Sequence, residues 1–593
     1  LSTEAYYRQQ IAAAETNIGR IREKLNGMAL LRLLIFAGIC FTLYLISKES
    51  SPLLLSVIIA LLAAFIICIN LYYRWKDDRR LQEKLLFVNT NELGVLKGQP
   101  NQFPDGAPFL SSENYLDDLD IFGRGSLFHQ LNRTTTVKGR NALAARLRES
   151  LTDPTAIVRE QAAIRVLAPQ HLLRQLMTAH GLLNEGKEED IDPDNMQHWL
   201  KTPPMLHTHF LRLIGMYGLI AFNCVAVGYW IARNNYTFAL LGAFISRILL
   251  ATVGKYVGQQ HEQIDSKKAL LDQYAGILAV FQTVDPQESA ILADLREQTA
   301  NARDAFRRLA SISNFFDYRT NGVVNIFLNT FLLFDLHAIL RLERWKASSR
   351  DQFRSWLESI ATIERLNSLA TFAYNNPDYG YPLPIENSST LFIEAQQIAH
   401  PLIPAARRVA NDCTLGRDEK LVLITGSNMS GKTTFLRTLG VNLLMAQCGL
   451  PVCAASFAFT PMELLTSLRI DDSLLEQTSY FMAELKKLQR IIHRLQTGAP
   501  ALVLIDEILR GTNSEDKTFG SEHFIRRLLQ YHCLSLFATH DLSLGSLESP
   551  GTITNYCFES VIEDGELHFN YQLQRGIAAN RNASFLMKKM DII

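Results

Sequence analysis

Residues 421–433 read LVLITGSNMSGKT, a short apolar run that passes directly into a glycine-rich stretch ending in Lys432 and Thr433. The run 421–425 predicts a strand buried on both faces, and the segment 433–448 after it has helical periodicity. Between them, Gly426, Ser427, Asn428, Met429, Ser430, Gly431, Lys432 and Thr433 satisfy the full GxxxxGK[ST] pattern at the point where a strand meets a helix. Phosphate groups suit this arrangement because successive backbone N–H groups and the positive end of a helix surround an anion, glycines allow close approach, and a lysine adds charge. Lys432 is then expected on the terminal phosphates and the Thr433 hydroxyl at Mg2+, with Thr434 completing the loop.

Working outward, residues 501–507 read ALVLIDE, a second buried strand that delivers Asp506 and Glu507 to the C-terminal edge of a sheet, where ligands bind in open α/β folds. Asp506 is expected to support Mg2+, and Glu507 to orient or deprotonate an attacking water. A third apolar run, 534–538, ends at Thr539 and His540, placing an imidazole at the same edge as a γ-phosphate sensor. Apolar runs alternating with helical stretches (433–448 and 476–496) predict a mostly parallel sheet covered by helices.

The 593 residues allow several domains. With 59 Lys+Arg against 59 Asp+Glu there is no global positive field to draw the chain onto nucleic acid, so any such affinity is local. A composition 48% hydrophobic and 20% charged excludes disorder as the main state. The eight cysteines form no CxxC pair and no zinc-spaced cluster, and read as buried, reduced thiols.

Two apolar stretches, 28–46 and 53–73, are each long enough to cross about 30 Å of hydrocarbon and are joined by only six residues, so they predict a helical hairpin. Arg20, Arg22 and Lys24 precede it and Arg74, Lys76, Arg79 and Arg80 follow, whereas the connector carries Lys48 alone; both ends are expected to face the cytoplasm. A second pair, 210–232 and 236–253, carries Arg212, Asn223 and Arg247, and competes with a reading as buried helices of a soluble core; the membrane is the favoured reading. Residues 1–27 predict an amphipathic helix ending near Gly27, and 98–114 and 375–384 predict linkers. Between these landmarks, 139–151, 156–167, 267–284, 290–309 and 350–374 have helical spacing.

Beside this reading stands a resemblance. His400-Pro401-Leu402, Asn411-Asp412, Ile424 to Thr434, Leu444-Met445-Ala446-Gln447, Ser479 to Glu484, Asp506-Glu507, Arg510-Gly511-Thr512 and Phe537-Ala538-Thr539-His540, in this order, resemble the ATPase domain of the MutS family of DNA mismatch-repair proteins, relatives of the ABC ATPases. Upstream, Phe122-Gly123, Leu131-Asn132-Arg133-Thr134 and Gly139 are similar to the start of the family's helical core, and 364–372 to its end. The resemblance implies ATP and Mg2+ as ligands, and a homodimer whose composite sites take the phosphate loop from one copy and Ser479, with its signature segment, from the other. Ser427, Tyr480 and Leu509 depart from the family's usual Pro, Thr and Gly, and remove no catalytic group. A domain with the family's Phe-x-Glu mismatch wedge is not expected before the core.

The expected fold is therefore an α/β P-loop NTPase domain of ABC/MutS-like type at the C-terminus, preceded by an all-α core domain and transmembrane hairpins. Its expected parts are an N-terminal helix (1–27), hairpin 1 (28–74), a linker (75–115), helical core in two parts (116–205 and 257–384) around hairpin 2 (206–256), and the ATPase domain (385–593). The expected function is a membrane-anchored, Mg-dependent ATPase that switches a dimeric clamp acting on DNA. The alternatives are ABC-like transport or membrane remodelling, and a nucleotide-gated scaffold without DNA. The arginines within 302–354 are interleaved with acids and hydrophobes, which suits solvated helix faces better than a phosphate clamp.

Overall fold

The computed structural model describes residues 2–48, 51–111, 115–183, 193–206, 209–265, 267–317, 322–386, 390–416, 419–427, 429–469, 480–509, 513–563 and 566–578. Among the described residues, four helices are long and apolar enough to cross a membrane: Thr3–Lys48, Leu53–Leu96, Phe210–Arg233 and Thr237–Asp265. They pair as two hairpins. Ser51 caps the second helix by accepting a hydrogen bond from Leu53 N, and Pro52 occupies its first turn, where a missing N–H does no harm.

Two expectations change here. The first helix does not end near Gly27 but runs unbroken through it, and the second continues to Leu96 across much of the expected 75–115 linker. One interior glycine costs about 1 kcal/mol relative to alanine, little against pairing along a 46-residue helix. The rest of that linker is no tether either. Asn101 is buried and its amide donates to His129 O at 2.6 Å and Asn132 O at 2.9 Å, so residues 98–111 strap onto the helical core.

Helix Phe353–Asn375 is buried along most of its length, with Val137–Arg148, Pro154–Leu167 and His171–Leu182 packed around it. Sequence-local caps set the starts of Val137–Arg148 and Pro154–Leu167: Thr136 accepts from Gly139 N, and Asp153 from Thr155 N and Ala156 N. The expected single helix over 290–309 is two, Ala290–Gln298 and Ala302–Asp317, because the Thr299 hydroxyl bonds back to Leu295 O and closes the first. Glu364, fully buried, accepts from Thr135 N at 2.8 Å and from the Thr135 and Thr136 hydroxyls; burial pushes its carboxyl up.

The first hairpin is keyed into this core by a buried ion pair. Arg133 Nε and Nη2 donate to the two Glu92 oxygens at 2.7 and 2.9 Å, Asn375 Nδ2 donates to Glu92 at 2.7 Å, and Tyr7 OH donates to Asn375 at 2.7 Å. Removing one member strands the other charge. Arg133→Ala is expected to destabilise the protein by about 3–5 kcal/mol, seen as a lowered unfolding midpoint, while Glu92→Leu with Arg133→Met should recover most of the loss.

The C-terminal lobe contains strands β1 (Leu383–Pro384), β2 (Ile393–Ile398), β3 (Asn411–Leu415), β4 (Leu421–Gly426), β5 (Ser456–Phe459), β6 (Glu463–Ser467), β7 (Ala501–Asp506), β8 (Cys533–Thr539), β9 (Ile553–Glu563) and β10 (Glu566–Arg575). The main sheet has the order β10-β9-β4-β8-β7-β6, parallel throughout except for β10 against β9; a smaller sheet has the order β1-β5-β2-β3. Apart from Asp506, β4, β7 and β8 are buried at every position, which is why they are continuous apolar runs. β1 begins within the second expected linker.

Most of the cysteines are buried, and burial pushes the Cys413 and Cys448 thiols up to about 12. Cys40 and Cys224 differ: both are exposed, on the outward apolar faces of Thr3–Lys48 and Phe210–Arg233.

Candidate functional site

β8 lies between β4 and β7, so the three strand ends that carry the expected chemistry are neighbours: Thr425 pairs with Thr539, and Asp506 with Ala538. Beyond β4 the chain turns through Gly426 (φ 152°) and Met429 (φ 67°) to Gly431 (φ 109°), where helix Lys432–Gln447 begins. A side chain at Gly426 would strike Phe558 O and Ser430 Oγ, both at 2.8 Å, so the loop closes only around glycine there.

Lys432, 5% exposed, folds back across this loop and donates to Gly426 O at 3.0 Å and Ser427 O at 2.9 Å. Its Nζ lies 3.4 Å from His540 Nε2. Burial and the adjacent lysine hold the His540 imidazole below its ordinary pKa, which keeps it neutral at physiological pH. The Thr433 hydroxyl donates to Asp506 Oδ2 at 2.5 Å, joining the start of the helix to the end of β7. Glu507 has a left-handed backbone (φ 59°), is tied to β8 through its N–H to Ala538 O at 2.9 Å, and forms an ion pair with Lys517.

These groups face a cavity of about 900 Å³ lined by Met429, Ser430, Gly431, Lys432, Thr433, Thr434, Asp506, Glu507 and His540, together with His400, Arg407, Arg408, Asn411, Phe558 and Tyr571. Ser430 Oγ is buried with no hydrogen-bond partner among the described residues, an unmet polar group that an anion's oxygen would satisfy. Asn428 and Ser479 lie outside the described residues, as do 510–512.

Sequence reasoning misses the cavity's other wall. β10 shifts register between Phe569 and Leu573, and Asn411 holds the bulge: Leu573 N donates to Asn411 Oδ1 at 2.7 Å, and Asn411 Nδ2 donates to Tyr571 O at 3.1 Å. Tyr571 is thereby swung over the loop, where a side chain at Gly431 would meet its Cδ1 at 3.1 Å. His400 and Asn411, within quoted motifs, are signalled in the sequence; a single tyrosine on a strand carries no mark.

Helix Tyr480–Leu495 packs through Leu488, Ile491, Ile492 and Leu495, and its buried Glu484 accepts from Leu509 N at 2.8 Å, two residues beyond Glu507. Leu485 on the same helix is only half-buried, whereas Ile491 is buried.

Asp118, in the short helix Tyr115–Asp118, is fully buried and accepts from Thr466 Oγ1 at 2.6 Å, Arg469 N at 2.8 Å and Lys487 Nζ at 2.7 Å. Asp120 pairs with Arg437 at 2.9 Å, on the helix that Lys432 begins. Residues 118–120 thus touch both the helix that begins at the cavity and the helix Tyr480–Leu495.

A glycine-bounded turn into a lysine-bearing helix, a hydroxyl–carboxylate pair and a neutral histidine on adjacent parallel strand ends define a lobe suited to a polyphosphate and a divalent cation. Residues 422–588 match the family model of MutS domain V. That domain is the ATPase-bearing region of MutS-family proteins, and the match marks the C-terminal lobe as MutS-like at this level.

Proposed function

We propose that the protein is a membrane-anchored, Mg-dependent ATPase of MutS type in which nucleotide state switches a homodimer. The observation that carries this reading is the Thr433–Asp506 contact at 2.5 Å beside Lys432, a ready pair of oxygen ligands next to a phosphate cradle. Thr433 and Asp506 would hold Mg2+, which supplies neutralisation of charge on the phosphate oxygens. The amides of residues 426–434, Ser430 and Lys432 bind and orient the phosphates. Glu507, released from Lys517, orients water and takes its proton; His540, held neutral, contacts the γ-phosphate. Tyr571, which lines the cavity, would pack against the base. Ser479 of the partner subunit completes the composite site.

In this reading the segments 28–74 and 206–256 are transmembrane hairpins and 385–593 is the ATPase domain, with the helical core and ATPase lobe on the cytoplasmic side. The family match supports DNA as the target of the dimeric clamp. A second reading, ATP-driven work on the membrane itself, is favoured by the buried Glu92–Arg133 pair, which ties the first hairpin to the core.

Turnover of the purified full chain separates the two. A DNA clamp shows ATPase activity stimulated by duplex, mismatched or branched DNA at low salt and lost as salt rises. An enzyme indifferent to all three DNAs but stimulated on moving from detergent into lipid vesicles rejects the DNA reading and supports membrane work.

A further inference from the structure

Helix Gly322–Leu332 (GVVNIFLNTFL) has no charged residue and packs against both Phe210–Arg233 and Thr237–Asp265. At 11 residues it is about 16 Å long, half of what a full span requires. Its Ile326 is 58% exposed and Leu332 40%, and these face outward beside the apolar faces of the hairpin, where Val225 and Leu240 are also exposed. The end of this helix, not its flank, holds the informative contact. The last carbonyls of a helix have no partner within it, and here Asn223 Nδ2 donates to Thr330 O at 3.2 Å and Phe331 O at 3.3 Å, and to Ser246 Oγ at 3.0 Å. Asn223 is 1% exposed and stands ten residues before Arg233 at the hairpin's tip, about 15 Å along the axis. That is close to the middle of a bilayer's hydrocarbon.

After Leu332 the chain reverses through Leu333 (φ 48°), with Asp335 N donating to Asn329 Oδ1 at 2.8 Å, and returns along Phe334–Ser349 to the core, where Trp345 Nε1 donates to Ala305 O at 2.8 Å. At this reversal the Thr330 and Phe331 carbonyls and the Asp335 N–H find partners within the protein, as an irregular backbone inside hydrocarbon requires, while Asn223 Oδ1 is buried without one among the described residues. A helix end in contact with water would need no such partners.

We propose that Gly322–Leu332 is a re-entrant membrane helix, a half-span seated in acyl chains against the second hairpin and capped near mid-bilayer by Asn223. It extends the lipid-facing surface of that hairpin, and so rests on the reading of 206–256 as membrane-spanning.

The test uses the full chain with Cys40→Ala and Cys224→Ala, reconstituted in phosphatidylcholine–phosphatidylglycerol vesicles, with a nitroxide on Ile326→Cys, Leu332→Cys, Leu240→Cys or Glu358→Cys in turn. Glu358 is solvent-exposed on the core and reports water. ATPase activity of each labelled protein shows that it is folded. Labels at 326 and 332 should relax more with oxygen than with the water-soluble nickel chelate, matching 240 and opposite to 358. If 240 is lipid-like while 326 and 332 follow 358, or are shielded from both reagents, the re-entrant helix is wrong and the hairpin stands. If 240 also follows 358, the membrane reading of the hairpin fails, and the proposal with it.

Discussion

Glu507→Gln is expected to leave ATP binding intact and to lower turnover by about 10²- to 10⁴-fold, the range associated with loss of a positioned general base. The substitution keeps the side chain's size and one carbonyl oxygen, so the backbone anchor of residue 507 to Ala538 O at 2.9 Å has no reason to move. What it removes is the negative charge, and with it both the ion pair to Lys517 and the capacity to accept a proton. Binding and turnover therefore separate. Isothermal titration with ATP and Mg2+ beside steady-state phosphate release reads both, and normal release by the variant would remove Glu507 from the chemistry.

Lys432→Ala should act one step earlier, weakening ATP binding by about 2–5 kcal/mol, roughly 30- to 4,000-fold in Kd, the range for truncating one member of a buried charge pair. Two effects add. The ammonium that would meet the phosphates is lost, and so are its bonds to Gly426 O and Ser427 O that hold the loop in shape. Neighbouring His540, relieved of the cation 3.4 Å away, should titrate closer to its ordinary value. A Kd raised by that factor in isothermal titration is the expected result; unchanged affinity would reject the role of Lys432.

Much of this site is legible in the sequence because its parts are local. β4 and β7 are apolar runs since both their faces are covered, and the polar residues that end them, from Gly426 to Thr433 and Asp506-Glu507, must emerge at an edge. Their mutual placement is not legible. Nothing in residues 533–539 says that β8 inserts between β4 and β7, yet that order is what sets His540 beside Lys432. Tyr571 reaches the cavity through a bulge held by Asn411, 160 residues earlier, a contact that no periodicity encodes. In the N-terminal half, apolar length identifies the long helices, but Gly27 misleads: a local helix breaker carries less weight than pairing with a second helix over many turns. The linker reading of 98–114 fails for a related reason, since Gly, Pro and Asn also build straps whose polar groups are satisfied by the surface they cross.

The Asp118 contact limits how the protein can be dissected. Lys487 and Asp118 are 369 positions apart, yet the carboxylate is inaccessible to solvent and is shared by the strand, the loop and the helix beside it. A truncation beginning at residue 385 would leave Thr466, the Arg469 amide and the Lys487 ammonium without their common acceptor, and would strip Asp120 from Arg437. The C-terminal lobe is thus no autonomous cassette: expressed alone, it begins with a wound at the seam, and a feeble activity from such a fragment would report the cut rather than the whole protein.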